Sequence, residues 1–158
     1  MKKPNVPDAI QPPGGEELVL IAPATGFQIY ICRPDAEGKP AWILKAQQAE
    51  LSDEQRKIIG KHFGGPTWQL NDGSQLTGKM VAKVDAPDAR AIPWLLLTVT
   101  SNSGKGALSS VTSIQRVNTV GGLAPENLPP ASAECSQSSG EVVFKSSYSA
   151  DYYFYARR

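Results

Sequence analysis

Gly60-Lys61-His62-Phe63-Gly64-Gly65-Pro66-Thr67-Trp68-Gln69-Leu70-Asn71-Asp72-Gly73-Ser74 places the chain's one histidine, a tryptophan and two tight turns within a single short stretch. Asn71-Asp72-Gly73 supplies residues that tolerate positive φ between two strand-like runs, a hairpin signal with a mechanism. Read with Ser110–Gly122 (SVTSIQRVNTVGG), it sets the fold class. This second run is β-prone yet carries polar side chains on both faces, which a strand in an ordinary core does not need. The two stretches predict an all-β domain with a polar interior or groove.

Outward from there, short β-rich runs alternate with Gly, Pro, Asn and Asp. The expected strands are Glu17–Ala22, Phe27–Cys32, Ala41–Lys45, Ile58–Phe63, Thr67–Leu70, Gln75–Val84, Pro93–Ser101, Ser113–Val120, Glu141–Lys145 and Ala150–Tyr155. Asp35-Ala36-Glu37-Gly38 reads as a turn. Ser52-Asp53-Glu54-Gln55 has capping-box spacing, so a helix of at most two turns ending at Gly60 competes there with a hairpin loop. Leu123–Gly140, rich in Pro, Ser and Glu, reads as a long surface loop. Many short strands without alternating long helices favour a single-domain closed barrel or tight sandwich. Residues 1–15, with four prolines, form an extended amino-terminal arm, and 16–158 form one domain.

Composition narrows the function classes. Sixteen basic and fifteen acidic residues leave a formal charge of +1, with no electrostatic footprint for nucleic acid. No apolar run reaches the length of a membrane span. Met1-Lys2-Lys3 could open a secretory leader, but Pro4-Asn5-Val6-Pro7-Asp8 stands where its apolar segment belongs. The reading is a cytosolic protein or a mature form without its signal. Cys32 and Cys135 are either a disulfide or two unrelated thiols, with no metal-ligand spacing.

No cofactor fingerprint is found. Gly104-Lys105-Gly106-Ala107-Leu108-Ser109 follows an apolar run, but β-prone residues follow it, so no helix N-terminus is available to hold a pyrophosphate; a hairpin loop is the simpler reading. A lone His62 excludes sites that need two histidines. It is either a structural residue bonded to a backbone carbonyl or a general base. In Ser113–Val120 one face carries Ser113, Gln115, Val117 and Thr119, the other Ile114, Arg116 and Asn118. Arg116 then either pairs with an acid such as Asp151 or lines a polar pocket with Asn118. Asp151-Tyr152-Tyr153-Phe154-Tyr155 presents aromatics on both faces. One face belongs to the core, and the other covers a second layer, stacks on a ligand or joins subunits.

Several stretches resemble the signature of the DUF3455 family: Gly26-Phe27-Gln28-Ile29-Tyr30-Ile31-Cys32, His62–Trp68 with Asp72-Gly73-Ser74, Ala91–Leu97 with Val111–Gly122, and Ala150–Tyr155. They span nearly the whole domain in order. The resemblance implies a bacterial or fungal type of protein of unknown function, usually made with a signal peptide. It therefore implies an extracellular or periplasmic location and a Cys32–Cys135 disulfide. Gly64-Gly65 stands where family members often have Ala-Gly. Fungal members are often labelled malate dehydrogenase, a label this sequence does not support, since it lacks a dinucleotide fingerprint.

The leading functional expectation is a secreted or periplasmic binding or surface module. It would hold a sugar or other small polar molecule with Trp68 and Tyr153 as stacking platforms and Arg116 and Asn118 as anchors. The competing expectations are a cofactor-independent isomerase, cyclase or hydrolase using His62 as base and Arg116 as anion stabiliser, and a structural protein that pairs into homo-oligomers through exposed aromatics. Neither a metal nor a cofactor is called for.

Overall fold

A computed structural model describes residues 1–127, 135 and 142–158. Its strands are β1 (Glu16–Pro34), β2 (Pro40–Ser52), β3 (Ile58–Phe63), β4 (Thr67–Leu70), β5 (Gln75–Val84), β6 (Trp94–Ser103), β7 (Val111–Gly121) and β8 (Val143–Arg157). Each pairs antiparallel with the next, and β8 pairs with β1, closing the sheet into a barrel. The ring closes through the short β3 and β4; beyond them residues 40–47 of β2 pair only with β1, and β5 beyond Thr77 pairs only with β6. No helix among the described residues is long and apolar enough to cross a membrane.

The expected bounds of β3, β4 and β5 coincide with the observed ones. Elsewhere strands expected as separate are continuous. β1 runs through Pro23 and Gly26 without a break. Pro23 lies where β1 pairs only with β8, one residue before its pairing with β2 begins at Ala24↔Leu51, a position that tolerates a missing N–H. Gly26 is needed for close approach: a Cβ there would sit 2.1 Å from the Gln48 carbonyl oxygen. β8 likewise runs unbroken from Val143, and Glu141, the first residue of the expected strand there, lies outside the described residues, as does most of the expected Leu123–Gly140 loop from 128 onward.

The Ser52–Gln55 helix does not form. Asp53 Oδ1 instead accepts hydrogen bonds from the Gln55 and Lys57 amides, both at 2.9 Å, and Arg56 takes a φ of 67°. The Asp35–Gly38 turn is built identically, with Asp35 Oδ1 accepting from Glu37 and Lys39 at 2.9 Å and Gly38 at a φ of 80°. Ser52 is the last residue of β2 rather than a helix cap, and Asp53 beside it closes the hairpin, the competing reading.

The interior is filled at one end. Leu51, Trp68, Leu76, Leu97, Ile114 and Phe154 point inward, and Leu108, from the β6–β7 connection, is fully buried among them. That connection is the glycine-rich Gly104–Ser109 segment, which does form a strand-to-strand loop. It is pinned by the β4–β5 turn: Asp72 Oδ2 accepts from the Ala107 amide at 2.8 Å, and Ser74 Oγ accepts from the Leu108 amide at 3.2 Å. A Cβ on Gly106 would collide with the Asp72 carboxylate, so only glycine lets the loop approach this closely. On the outside, a 3-10 turn at Asp8–Ile10 lays Val6 and Ile10 over Leu96 and Val117. Cys32 and Cys135 form a disulfide with a Cα separation of 5.3 Å.

Candidate functional site

The half of the barrel away from Leu108 holds a cavity of about 360 Å³. Its chemistry starts at the β3–β4 hairpin. The register His62↔Trp68 puts both rings on the inner face, where they stack at 4.3 Å between centroids and 16° between planes. Tyr152 of β8 meets both edge-on, at 5.1 Å from His62 and 5.5 Å from Trp68. The next turn's own bonds hold this geometry: His62 Nδ1 lies 2.8 Å from the Thr67 carbonyl oxygen, and Thr67 Oγ1 donates to the Gly64 carbonyl at 2.9 Å.

A carbonyl only accepts, so Nδ1 carries the proton and Nε2 keeps the lone pair. Burial disfavours the imidazolium, and the Arg116 charge adds to this against the Thr67 bond, bringing the His62 pKa down to about 4. His62 is therefore neutral across the physiological range. No described residue hydrogen-bonds Nε2.

Arg116 enters from β7, between Leu95 of β6 and Tyr152 of β8. It is 8% exposed. Its Nε and Nη2 both donate to the Pro93 carbonyl, at 3.1 and 2.8 Å. The expected alternative, a salt bridge to Asp151, is not made: Asp151 Oδ2 accepts from Asn118 Nδ2 at 2.9 Å. Arg116 also pulls down the pKa of Tyr152 and Tyr30, opposing the larger rise that burial imposes on both.

Of the residues singled out in the sequence, the structure brings His62, Trp68 and Arg116 to one cavity and leaves Asn118 and Tyr153 outside it. Asn118 shares a face with Arg116 only if the strand alternates regularly. A register shift between Val117 and Val120, with Asn118 at a φ of 52°, breaks the alternation and turns its side chain outward. Tyr153 sits on the outer face, packed against the Val6–Ile10 cluster. The second aromatic face of β8 thus meets the amino-terminal arm.

Gln28 and Tyr30 of β1 also line the cavity and escape the sequence reading. Both are polar-tipped and share one face of a strand, the same signal that marks β7. Tyr30 donates to the Gly122 carbonyl at 2.6 Å. Gln28 is 2% exposed, and its Oε1 has no hydrogen-bond partner among the described residues; Trp68 Nε1 is in the same position.

The class these features define is a closed antiparallel barrel whose inner wall carries aromatic, cationic and amide groups around a ligand-sized space. A family model described as a protein of unknown function (DUF3455) matches residues 12–156, and the chain belongs to that family. No curated protein and no solved structure matches it.

Proposed function

We propose that the protein binds a small organic molecule inside the barrel, and does so outside the cytoplasm. The observation that carries this reading is that Gln28, Tyr30, His62, Trp68 and Arg116 converge on one cavity, and that Gln28 Oε1 and Trp68 Nε1 among them have no partner among the described residues. A buried polar group left unpaired costs about 1–3 kcal/mol, so natural interiors seldom keep two in one place without use. A volume of about 360 Å³ falls in the range of small-molecule sites. The wall is also typical of such sites, with Leu95, Leu97 and Met80 around a few polar groups. The Cys32–Cys135 disulfide favours an oxidising compartment.

A fragment screen followed by the Trp68 indole N–H resonance tests the proposal. Ligands should shift that resonance saturably in the wild type and lose affinity at least tenfold in Leu95→Trp, which fills the cavity from its wall. Binding that Leu95→Trp leaves untouched would place the ligand elsewhere and sink the reading.

A second reading, proton transfer without a cofactor, is favoured by the tautomer of His62. Nε2 is an available base in the same cavity as the Arg116 cation. It would take a proton from a carbon acid while Arg116 holds the oxyanion that forms, and return the proton at another atom of the same molecule. His62→Gln should then abolish turnover and keep ligand affinity within a few-fold.

A further inference from the structure

We infer that the cavity selects an anion, and that its ligand is a small amphipathic monocarboxylate held head-first by Arg116. This rests on the binding reading above and names the class of molecule that the site would take.

The charge inventory is one-sided. Among the described residues that line the cavity, Arg116 and Lys83 are cationic and none is acidic. Arg116 lies deep and Lys83 is exposed at the rim. Arginine does not lose its proton in a protein, so its charge cannot be shed to relieve burial. A buried ion without a counter-ion costs several kcal/mol. Among the described residues no carboxylate lies within ion-pair distance of Arg116, and Asp151 is turned to Asn118. The positive field is felt around the cavity, since Arg116 opposes ionisation of His62 and favours that of Tyr30 and Tyr152, against a smaller opposing effect of exposed Glu126 at Tyr30. His62, being neutral, adds no second charge.

The hydrogen-bond geometry points the same way. A guanidinium has five N–H groups, of which Nε–H and one on Nη2 go to the Pro93 carbonyl. The Tyr152 hydroxyl is a neighbour that accepts at most one more. At least two N–H groups remain on the end of the fork, which is what a carboxylate needs for a two-point contact. Pro93 fixes the plane of the fork beforehand, so little side-chain entropy is lost when the anion arrives.

A single buried cation matches a monoanion. A phosphate dianion would bring a second charge among Leu95, Leu97 and Met80, with only exposed Lys83 to meet it. Those apolar walls and the His62–Trp68 stack suit a hydrocarbon or flat ring attached to the headgroup.

The test is a titration of the intact protein with matched pairs, cinnamate against cinnamamide and hexanoate against hexanamide, with inorganic phosphate as a third probe. Affinity is read at the Trp68 indole N–H. The carboxylates should bind at least tenfold more tightly than their amides. Arg116→Gln should remove that preference while leaving amide affinity within threefold, and Lys83→Gln should change it less than threefold. Should Arg116→Gln fail to fold, the wild-type pairs and Arg116→Lys decide, the latter weakening carboxylates and not amides. Equal affinity for acid and amide overturns anion selection while leaving the binding reading intact. Phosphate tighter than either acid overturns the carboxylate class. No saturable shift from any probe overturns this proposal, and a fragment screen that is also silent overturns the binding reading with it.

Discussion

Gln115 and Gln28 are the same residue type, both almost fully buried, on opposite sides of the barrel wall. Gln115 lies on the outer face beneath the amino-terminal arm. Its Nε2 donates to the Ile10 carbonyl at 2.8 Å, and its Oε1 accepts from the Tyr155 hydroxyl at 2.5 Å. Gln28 lies on the inner face, and its Oε1 meets no partner among the described residues. The seam under the arm is an ordinary interior, in which a polar group is kept because its bonds are made; Trp94 Nε1 is its exception. At the cavity His62, Tyr30 and Arg116 are bonded to backbone carbonyls, but Gln28 Oε1 and Trp68 Nε1 have no partner among the described residues. Burial alone does not separate these two glutamines; hydrogen-bond satisfaction does.

The largest expected effect falls on the seam. Ile10 is fully buried between the arm and the barrel. Ile10→Ala should lower unfolding free energy by about 2–5 kcal/mol in urea denaturation, without altering ligand affinity at the cavity. A loss below about 1 kcal/mol would mean that the arm contributes little packing and that the seam is not a second core.

Next in size is the pH dependence set by His62. Its folded pKa of about 4 lies below the ordinary value of 6.5, chiefly because burial disfavours the charged ring. Between those two values the unfolded chain binds a proton that the folded chain does not, so stability falls as pH drops from about 6.5 toward 4. The loss approaches about 3 kcal/mol at the lower end, from roughly 1.4 kcal/mol per unit. His62 is the chain's one histidine. His62→Gln should therefore flatten the slope between pH 5 and 6.5 in urea titrations, and a slope that persists in the variant would show that His62 is not held neutral by the cavity.

What the sequence could disclose follows from which interactions are local. β3, β4 and β5 were legible to the residue because Gly64-Gly65-Pro66 and Asn71-Asp72-Gly73 mark their ends with backbone chemistry. The continuity of β1 was not, since Pro23 and Gly26 read as breakers until their partner strands show one to be tolerated and the other required. In the cavity, His62, Trp68 and Arg116 stood out as polar or aromatic residues on strands with unusual faces. Asn118 was misplaced because alternation was assumed through a bulge that only pairing with β8 reveals. Tyr153 was misplaced because its cover, the arm, comes from the far end of the chain. Gln28 shares with Tyr30 the kind of polar strand face that marks β7, but no local signal says whether a buried amide will find its partners.

The smallest effect is also the sharpest test of the comparison. Gln115→Ala leaves the Ile10 carbonyl and the Tyr155 hydroxyl buried without partners, and should cost about 1–3 kcal/mol in urea denaturation. Gln28→Leu removes an acceptor whose bond is not made and puts apolar bulk of similar shape on an interior wall. It should change stability by less than about 0.5 kcal/mol, or raise it. Its cost should appear in affinity for ligands that carry a donor near that wall. If Gln28→Leu destabilised the barrel as much as Gln115→Ala does, the inner glutamine would be holding the fold together rather than waiting for a ligand, and the division between seam and cavity would fail.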